Sequence, residues 1–512
     1  MRTGIRGKRS LLAGAIAVAA AVTVPTSASA AEVADVGGVP GYEVSAVDWQ
    51  PCPGKPEIEC GTVEVPLDWS MPKGKTTYVG IARKRATDQA HRLGALIFDP
   101  GGPGGSGVDD LLNGNRITPA VAARFDIIGF DPRGVNTSAQ VLCDQTVYDQ
   151  ARAAKRPTSQ AEFDRLASLN RQLINDCRAH TGSLVDHLDT RTTARDIDAV
   201  RAALGEEKLN YLGFSYGSLM GQQYAEQFPT HIRAMVNDGN MDHSLKTAWE
   251  FVRDQTAPVE RNFLEFAQWC DTTPACALYG QDTVKTYGAL RERAKAGTLT
   301  DPATGQPVDF YALSTIAFDS GRPPLWTKVA NSLKALRDGT GTMTASVRSG
   351  ELVNDVFSPV WCSDWRYPVK DFAQYESMRT RLATEFPNMQ WSPYVDNVMT
   401  CVGDPLATTN PQHALKVAGA PPLVMIGNIH DYATVYKWNK TAAEQSGSHL
   451  ITYEGWYHTA YGPNKPSQCI NSAVEAYFLN LTVPKDGLSC AAMEKPTTST
   501  FATEATPAGP YL

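Results

Sequence analysis

Leu209 to Phe228 reads LNYLGFSYGSLMGQQYAEQF, and the rest of the chain is read outward from it. Leu209–Phe214 is a short apolar run suited to a buried strand. Ser218–Phe228 has helical character and stops at Pro229. Between them lies Gly213-Phe214-Ser215-Tyr216-Gly217, a G-x-S-x-G. Chance alone yields that pattern in a Gly-containing chain, so its flanks carry the argument. Strand, sharp turn and helix together make a nucleophile elbow. The turn holds its central residue in a strained conformation, and flanking glycines leave room where side chains would collide. Ser215 Oγ then stands at the carboxyl end of the sheet, with the Tyr216 N–H aimed at a reacting carbonyl. The plain alternative is a helix-entry turn with a capping serine.

Working outward, strands and helices alternate. IECGTVEVPLDW and TTYVGIARKRAT, within Ile58–Thr87, read as strands joined by a turn at Met71-Pro72-Lys73-Gly74. LGALIF (Leu93–Phe98) and FDIIGF (Phe125–Phe130) are bounded apolar runs that fit strands buried on both faces of a parallel sheet. Thr192–Leu204 places Ile197, Val200 and Leu204 on one helical face, with Thr192 or Thr193 as N-cap. Ala234–Val236 begins another strand. This alternation predicts an α/β fold with a mostly parallel sheet. From Asp242 to Pro411 helix-like segments dominate (Trp249–Trp269, Thr283–Lys295, Lys328–Leu336, Asp371–Thr384). Sheet pattern returns at Pro422–Ile426 and Leu450–Tyr453, and a helix follows near Ile470–Leu479. The expected division is a core over 51–241, a mostly helical cap over 242–411, more core over 412–494 and a loose tail over 495–512.

The N-terminus has a different character. Arg2, Arg6, Lys8 and Arg9 precede an apolar run from Leu11 to Val24, and Ala28-Ser29-Ala30 reads as a cleavage site. Residues 1–30 are therefore expected to be a secretory signal peptide, and 31–50 a lead or pro-segment. No later run is long and apolar enough to span a bilayer, so no stable membrane anchor is expected. The 512 residues are 42% hydrophobic and 20% charged, which fits a sizeable core and excludes a mainly disordered chain. A formal charge of −7 argues against nucleic-acid binding. Ten cysteines in an exported chain favour disulfides. Spacing does not fix connectivity; the simplest arrangement pairs neighbours as 52–60, 143–177, 270–276, 362–401 and 469–490. Neither a C-x-x-C pair nor an H-E-x-x-H is present to suggest zinc.

A serine nucleophile needs a base, and the base an orienting acid. In this fold the chain order is serine, acid, histidine. His458 lies just past strand LITY, and Asp431 just past PLVMI, both at strand ends where α/β active sites are built. His430 is a rival base, but it adjoins the acid. Asp396 and Asp404 are rival acids that follow no clear strand. The loop Asp99-Pro-Gly-Gly-Pro-Gly-Gly-Ser-Gly107 follows LGALIF and can supply the second oxyanion donor. Pro103 has no N–H, so Gly102 is the candidate. Gly102, Gly104 and Gly107 also match a dinucleotide fingerprint, and a plain glycine-rich turn is the third reading.

The elements DPGGPGGSG, FDPRGVNTS, GFSYGSLMG, PLVMIGNIHDYAT and EGWYHTAYG, together with WCSDW, resemble the secreted tripeptidyl aminopeptidases of streptomycetes. These are α/β-hydrolase serine peptidases related to prolyl aminopeptidases, and the resemblance runs from about Cys52 to Cys490. It implies Ser215 as nucleophile, Asp431 as acid, His458 as base, and Gly102 and Tyr216 as oxyanion donors, with no cofactor and no metal. Arg133 in DPRG reads as a structural charge. Two departures stand out: Val435 where the family carries proline after Thr434, and Tyr457 where it carries glycine before the histidine. The expected substrate is a peptide or protein with a free N-terminus, cut by a monomer. Binding an ammonium calls for a carboxylate, and the cap offers Glu250, Glu260, Glu265, Asp319 and Asp364. The cap's Trp249, Trp269, Trp326, Trp361, Trp365 and Trp391 read first as core and second as pocket lining. A secreted carboxylesterase or lipase-like hydrolase is the alternative function, and a binding protein on a hydrolase scaffold the third.

Overall fold

Apolar runs bounded by turns become strands whose alternate side chains face two different layers. In chain order the strands are β1 (Gln50–Cys52), β2 (Lys55–Pro66), β3 (Thr76–Lys84), β4 (Gly94–Asp99), β5 (Phe125–Asp131), β6 (Leu142–Asp144), β7 (Leu209–Phe214), β8 (Ile232–Asp238), β9 (Leu352–Asn354), β10 (Val424–Asn428), β11 (His449–Tyr453) and β12 (Leu488–Cys490). The computed structural model describes residues 42–114, 116–340, 352–465 and 467–493. The expected signal peptide (1–30), most of the lead (31–50) and the tail (495–512) lie outside the described residues.

Ten strands form one sheet, ordered β1-β2-β3-β5-β4-β7-β8-β10-β11-β12. The seven from β5 to β12 run parallel, and β1, β2 and β3 form an antiparallel edge. β4, β5 and β7 are buried at every position, as parallel strands covered on both faces must be. The period of two is plain in β4: Ala95 and Ile97 face one hydrophobic layer, Leu96 and Phe98 the other. β7, which feeds the elbow, stands between β4 and β8 near the middle of the sheet.

The segment 242–411 is helical: Ala248–Thr272, Thr283–Lys295, Phe310–Phe318, Trp326–Asp338, Phe357–Asp364 and Phe372–Glu385 are its longer helices. Its first part has a hydrophobic core of its own, built from residues such as Phe263, Phe266, Leu313, Trp326 and Leu333. Its second part, including Trp361, Trp365, Val398 and Met399, packs into the main core beside the sheet. Helices Gln145–Ala153 and Gln160–Thr181 join it from the other side of the chain. Asn170 Nδ2 donates to the carbonyls of Met399 and Val402, both at 3.0 Å, and Arg156 pairs with Asp396 at 3.0 Å. β6 and β9 add an antiparallel pair between the same two regions.

The helix expected over 192–204 spans Thr190–Ala203, and its N-cap is Asp189 rather than Thr192 or Thr193. The Asp189 carboxylate accepts from Thr192 N at 2.9 Å, so the acid takes the capping role about one helical turn earlier than the threonines suggest. Trp326, Trp361, Trp365 and Trp391 are buried in the core. All ten cysteines pair with their sequence neighbours: 52–60, 143–177, 270–276, 362–401 and 469–490. Among the described residues no helix is long and apolar enough to cross a membrane.

Candidate active site

Ser215 sits between β7 and the helix Tyr216–Gln227 with φ 56° and ψ −122°. A non-glycine residue in that region is strained and persists only when its surroundings fix it. Here the surroundings are backbone. Ser215 N donates to the Asp238 carbonyl at 2.9 Å, and the Ser215 carbonyl accepts from Ser218 N at 2.9 Å. A Cβ on Gly213 would stand 2.4 Å from the Gly217 carbonyl oxygen, and one on Gly217 would stand 2.7 Å from the Asp99 carbonyl oxygen. Both glycines of the motif are therefore required by close approach.

The loop after β4 lies against this turn. Gly101 has φ 90°, and a Cβ there would meet the Phe214 carbonyl oxygen at 2.4 Å and Tyr216 N at 2.7 Å. Gly101 N donates to the buried Asp99 carboxylate at 2.8 Å, and burial raises that carboxyl well above its ordinary range. The N–H groups of Gly102 and Tyr216 meet no acceptor among the described residues. Ser106 caps the helix Gly107–Asn113, whose first turn carries Asp109 and Asp110. Two acids at a helix N-terminus repel a phosphate, which weighs against the dinucleotide reading of this loop.

Asp431 and His458 come together from the loops after β10 and β11. His458 Nδ1 lies 2.9 Å from Asp431 Oδ2 and 3.1 Å from Oδ1. Asp431 is fully buried, whereas the His458 side chain is 22% exposed. The carboxylate is further fixed by Ala433 N at 2.7 Å, Thr434 N at 3.1 Å and Thr434 Oγ1 at 2.9 Å. Committing Nδ1 to the acid leaves Nε2 as the nitrogen that can serve a serine hydroxyl. The rivals are engaged elsewhere. The His430 ring stacks on Trp456 at 4.3 Å and lies 3.3 Å from Glu265. Asp396 pairs with Arg156. Asp404 sits in a turn with φ 47°.

Several supporting groups escaped the sequence reading. Asp238 ends β8; its carboxylate accepts from Ala460 N at 2.8 Å and Tyr461 N at 2.8 Å, just past His458. Burial pushes its carboxyl up to about 6. Its position at a strand end beside a glycine was the available signal. Lys465 Nζ donates to the His458 carbonyl at 3.2 Å and sits over the Tyr457 ring at 5.6 Å. Tyr457 has φ 82°, the region that favours glycine, and Asn428 Nδ2 holds its carbonyl at 2.9 Å. These contacts let a tyrosine occupy a glycine-like position. From the long helix Ala248–Thr272, Arg261 donates to the Ile429 carbonyl at 2.5 Å, Asn262 to that of His430 at 2.9 Å, and Gln255 to that of Ala433. The three carbonyls bracket Asp431.

The five cap carboxylates separate by what they touch. Glu250 completes the capping box of the long helix. Glu260 accepts from Asn388 and Met389. Asp364 is buried and fully engaged by donors. Glu265 lies beside His430, which precedes Asp431, and Asp319 lies 3.6 Å from Arg322, whose Nε donates to Tyr432 Oη at 2.7 Å. The Tyr432 ring lies 6.1 Å from that of His458. Arg133 is structural. It makes a bidentate pair with Asp196 at 2.6 Å, both side chains wholly buried, and donates to the carbonyls of Pro66, Leu67 and His187.

Residues 94–458 match the family described as alpha/beta hydrolase fold. The chain is 32% identical to the tripeptidyl aminopeptidase of Streptomyces lividans, over 87% of each protein. It is 30% identical to the serine protease Hip1 of Mycobacterium tuberculosis, over 87% of this chain and 91% of that one. It is 34% identical to carboxylesterase B of Mycobacterium tuberculosis, over 94% of this chain and 96% of that one.

Proposed function

Because the chain belongs to the alpha/beta-hydrolase family and is a serine-hydrolase peptidase of the tripeptidyl-aminopeptidase type, we propose that it is secreted and releases tripeptides from free N-termini through an acyl-enzyme. The observation that carries this reading is the bond between His458 Nδ1 and the buried Asp431, at the sheet edge where Ser215 is held on a strained turn.

His458 takes the proton of Ser215 as its Oγ attacks the scissile carbonyl. The oxyanion is received by the N–H groups of Tyr216 and Gly102. His458 then protonates the leaving amine, and water hydrolyses the ester. Asp431 holds the imidazole tautomer and stabilises the imidazolium. No metal or organic cofactor enters these steps. Glu265 and Asp319 are the proposed acceptors for the substrate ammonium, since they neighbour the residues on either side of the acid. Five disulfides support an exported protein, and the N-terminal sequence supports a cleaved signal.

The test compares a tripeptide anilide bearing a free N-terminus with its N-acetylated form, using Ser215→Ala as control. Cleavage of the free form alone, lost in the variant, supports the aminopeptidase. Equal cleavage of both forms sinks it. A second reading is a carboxylesterase with the same triad, favoured by the 34% identity to carboxylesterase B across nearly the whole chain. Turnover of aryl esters without turnover of either anilide would select it.

A further inference from the structure

Tyr216 touches the elbow at one end and a buried acid at the other. Its main-chain N–H follows Ser215 directly, at the start of the helix Tyr216–Gln227. Its ring is buried, and its hydroxyl donates to Asp364 Oδ2 at 2.8 Å and accepts from Trp365 Nε1 at 2.9 Å. Asp364 and Trp365 belong to the stretch Trp361-Cys-Ser-Asp-Trp365, which the proposed chemistry leaves without a role.

The Asp364 carboxylate gathers donors from three distant segments. Oδ1 accepts from Thr190 N and Asn410 Nδ2, both at 2.9 Å, and Oδ2 accepts from Thr190 Oγ1 and from Tyr216. Thr190 opens a core helix, and Asn410 lies at the end of the cap segment. Around it, Trp361 stacks on Trp365 at 5.3 Å, and His243 Nε2 bonds the Asp364 carbonyl at 2.8 Å. The disulfide Cys362–Cys401 ties the stretch to a later part of the same cap segment. None of these four donors, one main-chain and three side-chain, is a cation. Burial and the nearby Asp189 push the Asp364 carboxyl up to about 7, so the group is costly to hold there. Its donors are buried with it, so the whole cluster stands or falls together. What the carboxylate provides is a fixed direction for the Tyr216 hydroxyl.

We propose that Asp364 is a positioning residue for the oxyanion site: through the Tyr216 hydroxyl it fixes where the Tyr216 N–H points. This inference rests on the proposed role of Tyr216 as an oxyanion donor. Removing one such donor outright costs about 10²–10³ in kcat, so loosening its placement should cost about tenfold.

The experiment uses the full chain and whichever substrate it turns over in a Ser215-dependent way. Tyr216→Phe keeps the N–H and removes the tether; Asp364→Asn removes the charge. Each should lower kcat about tenfold with KM within about twofold, since ground-state binding is untouched. A peptide aldehyde or boronate, which forms a tetrahedral adduct on Ser215, should weaken by the same factor as kcat/KM. The double variant should lose no more than either single one, because both cut the same tether. Should Asp364→Asn fail to fold, Tyr216→Phe carries the test alone. Unchanged kcat in a folded Tyr216→Phe, or losses that multiply in the double variant, would overturn the proposal while leaving Ser215 chemistry intact. Absence of any Ser215-dependent turnover in the parent protein would overturn the reading beneath it as well.

Discussion

The turn that carries Ser215 and the loop that carries His458 meet at one edge of the sheet, yet they are held by different forces. The serine is fixed by its own backbone and by close approaches of Gly213 and Gly217 to neighbouring carbonyls. Every part of that device lies within a few residues or on the adjoining strands. The histidine loop has no such local constraint. It is clamped by Asp238 from β8, Lys465 from further along the chain, and Asn428 from β10. The acid is held from both ranges: Ala433 N, Thr434 N and Thr434 Oγ1 bind its carboxylate from two and three residues away, and Arg261 and Asn262 of a cap helix, each 168 residues before its partner, bind the carbonyls of Ile429 and His430. The proposed nucleophile is thus placed by short-range sterics, whereas the loops of the proposed acid and base also draw on long-range hydrogen bonds. Damage to the first should be local and severe, and damage to the second graded.

The largest effect should come from the centre of the elbow. Ser215→Ala is expected to lower kcat by about 10⁴-fold or more with little change in melting temperature. Retained turnover would end the comparison, because the elbow would then carry no nucleophile. Asp431→Asn should follow, at about 10⁴ in kcat, since the amide imposes the wrong imidazole tautomer. A loss under tenfold would mean that the acid is another residue.

Lys465→Ala sharpens the contrast between the two regions. It removes the bond to the His458 carbonyl and the cation over Tyr457, and should lower kcat about tenfold by blurring the placement of the base. Amide exchange should quicken in residues 455–462 and stay unchanged in 213–218. Equal quickening in both stretches would show that the elbow shares the loop's supports.

Asp238 gives the smallest effect, and one that depends on pH. Its folded carboxyl titrates at about 6, against 3.8 without burial. Between about pH 4 and 6 the folded state keeps a proton that the unfolded state releases. Stability contributed by this group is thus full below pH 4, falls as pH rises through 6, and levels off above it, by about 3 kcal/mol at most. Urea midpoints across that range should show the fall in the parent protein and a flatter profile in Asp238→Asn. Identical profiles would remove Asp238 from the account of the loop.

The same contrast explains what could be read in the sequence. The elbow was legible because strand, Gly-x-Ser-x-Gly and helix are contiguous. That Asp431 and His458, the proposed acid and base, meet was legible because both follow apolar strand runs. The neighbour pairing of the cysteines was the simplest arrangement, and the structure has it. Asp238 also ends a strand, but its partners Ala460 and Tyr461 offer only main-chain N–H groups, which leave no mark in a sequence. Gln255, Arg261 and Asn262 read as ordinary polar residues on a helix until the carbonyls they meet are known. The five cap acids looked equivalent, and only their donors separate Glu265 and Asp319 from three structural ones. Asp189 took the N-cap from Thr192 for a similar reason: several residues could cap that helix, and packing of the preceding turn decides which does.

The pairing of β8 with β10 joins Val236 to Val424, with the whole cap between them. A chain made from its N-terminus reaches β7 and its elbow well before β10, β11 and their loops exist. Until the C-terminal strands dock, Ser215 lacks the acid and base proposed for it. Long-range strand closure is slow compared with local turns and helices. The order of synthesis thus acts as a built-in delay, and the proposed hydrolytic site is completed only by the last strands to be made.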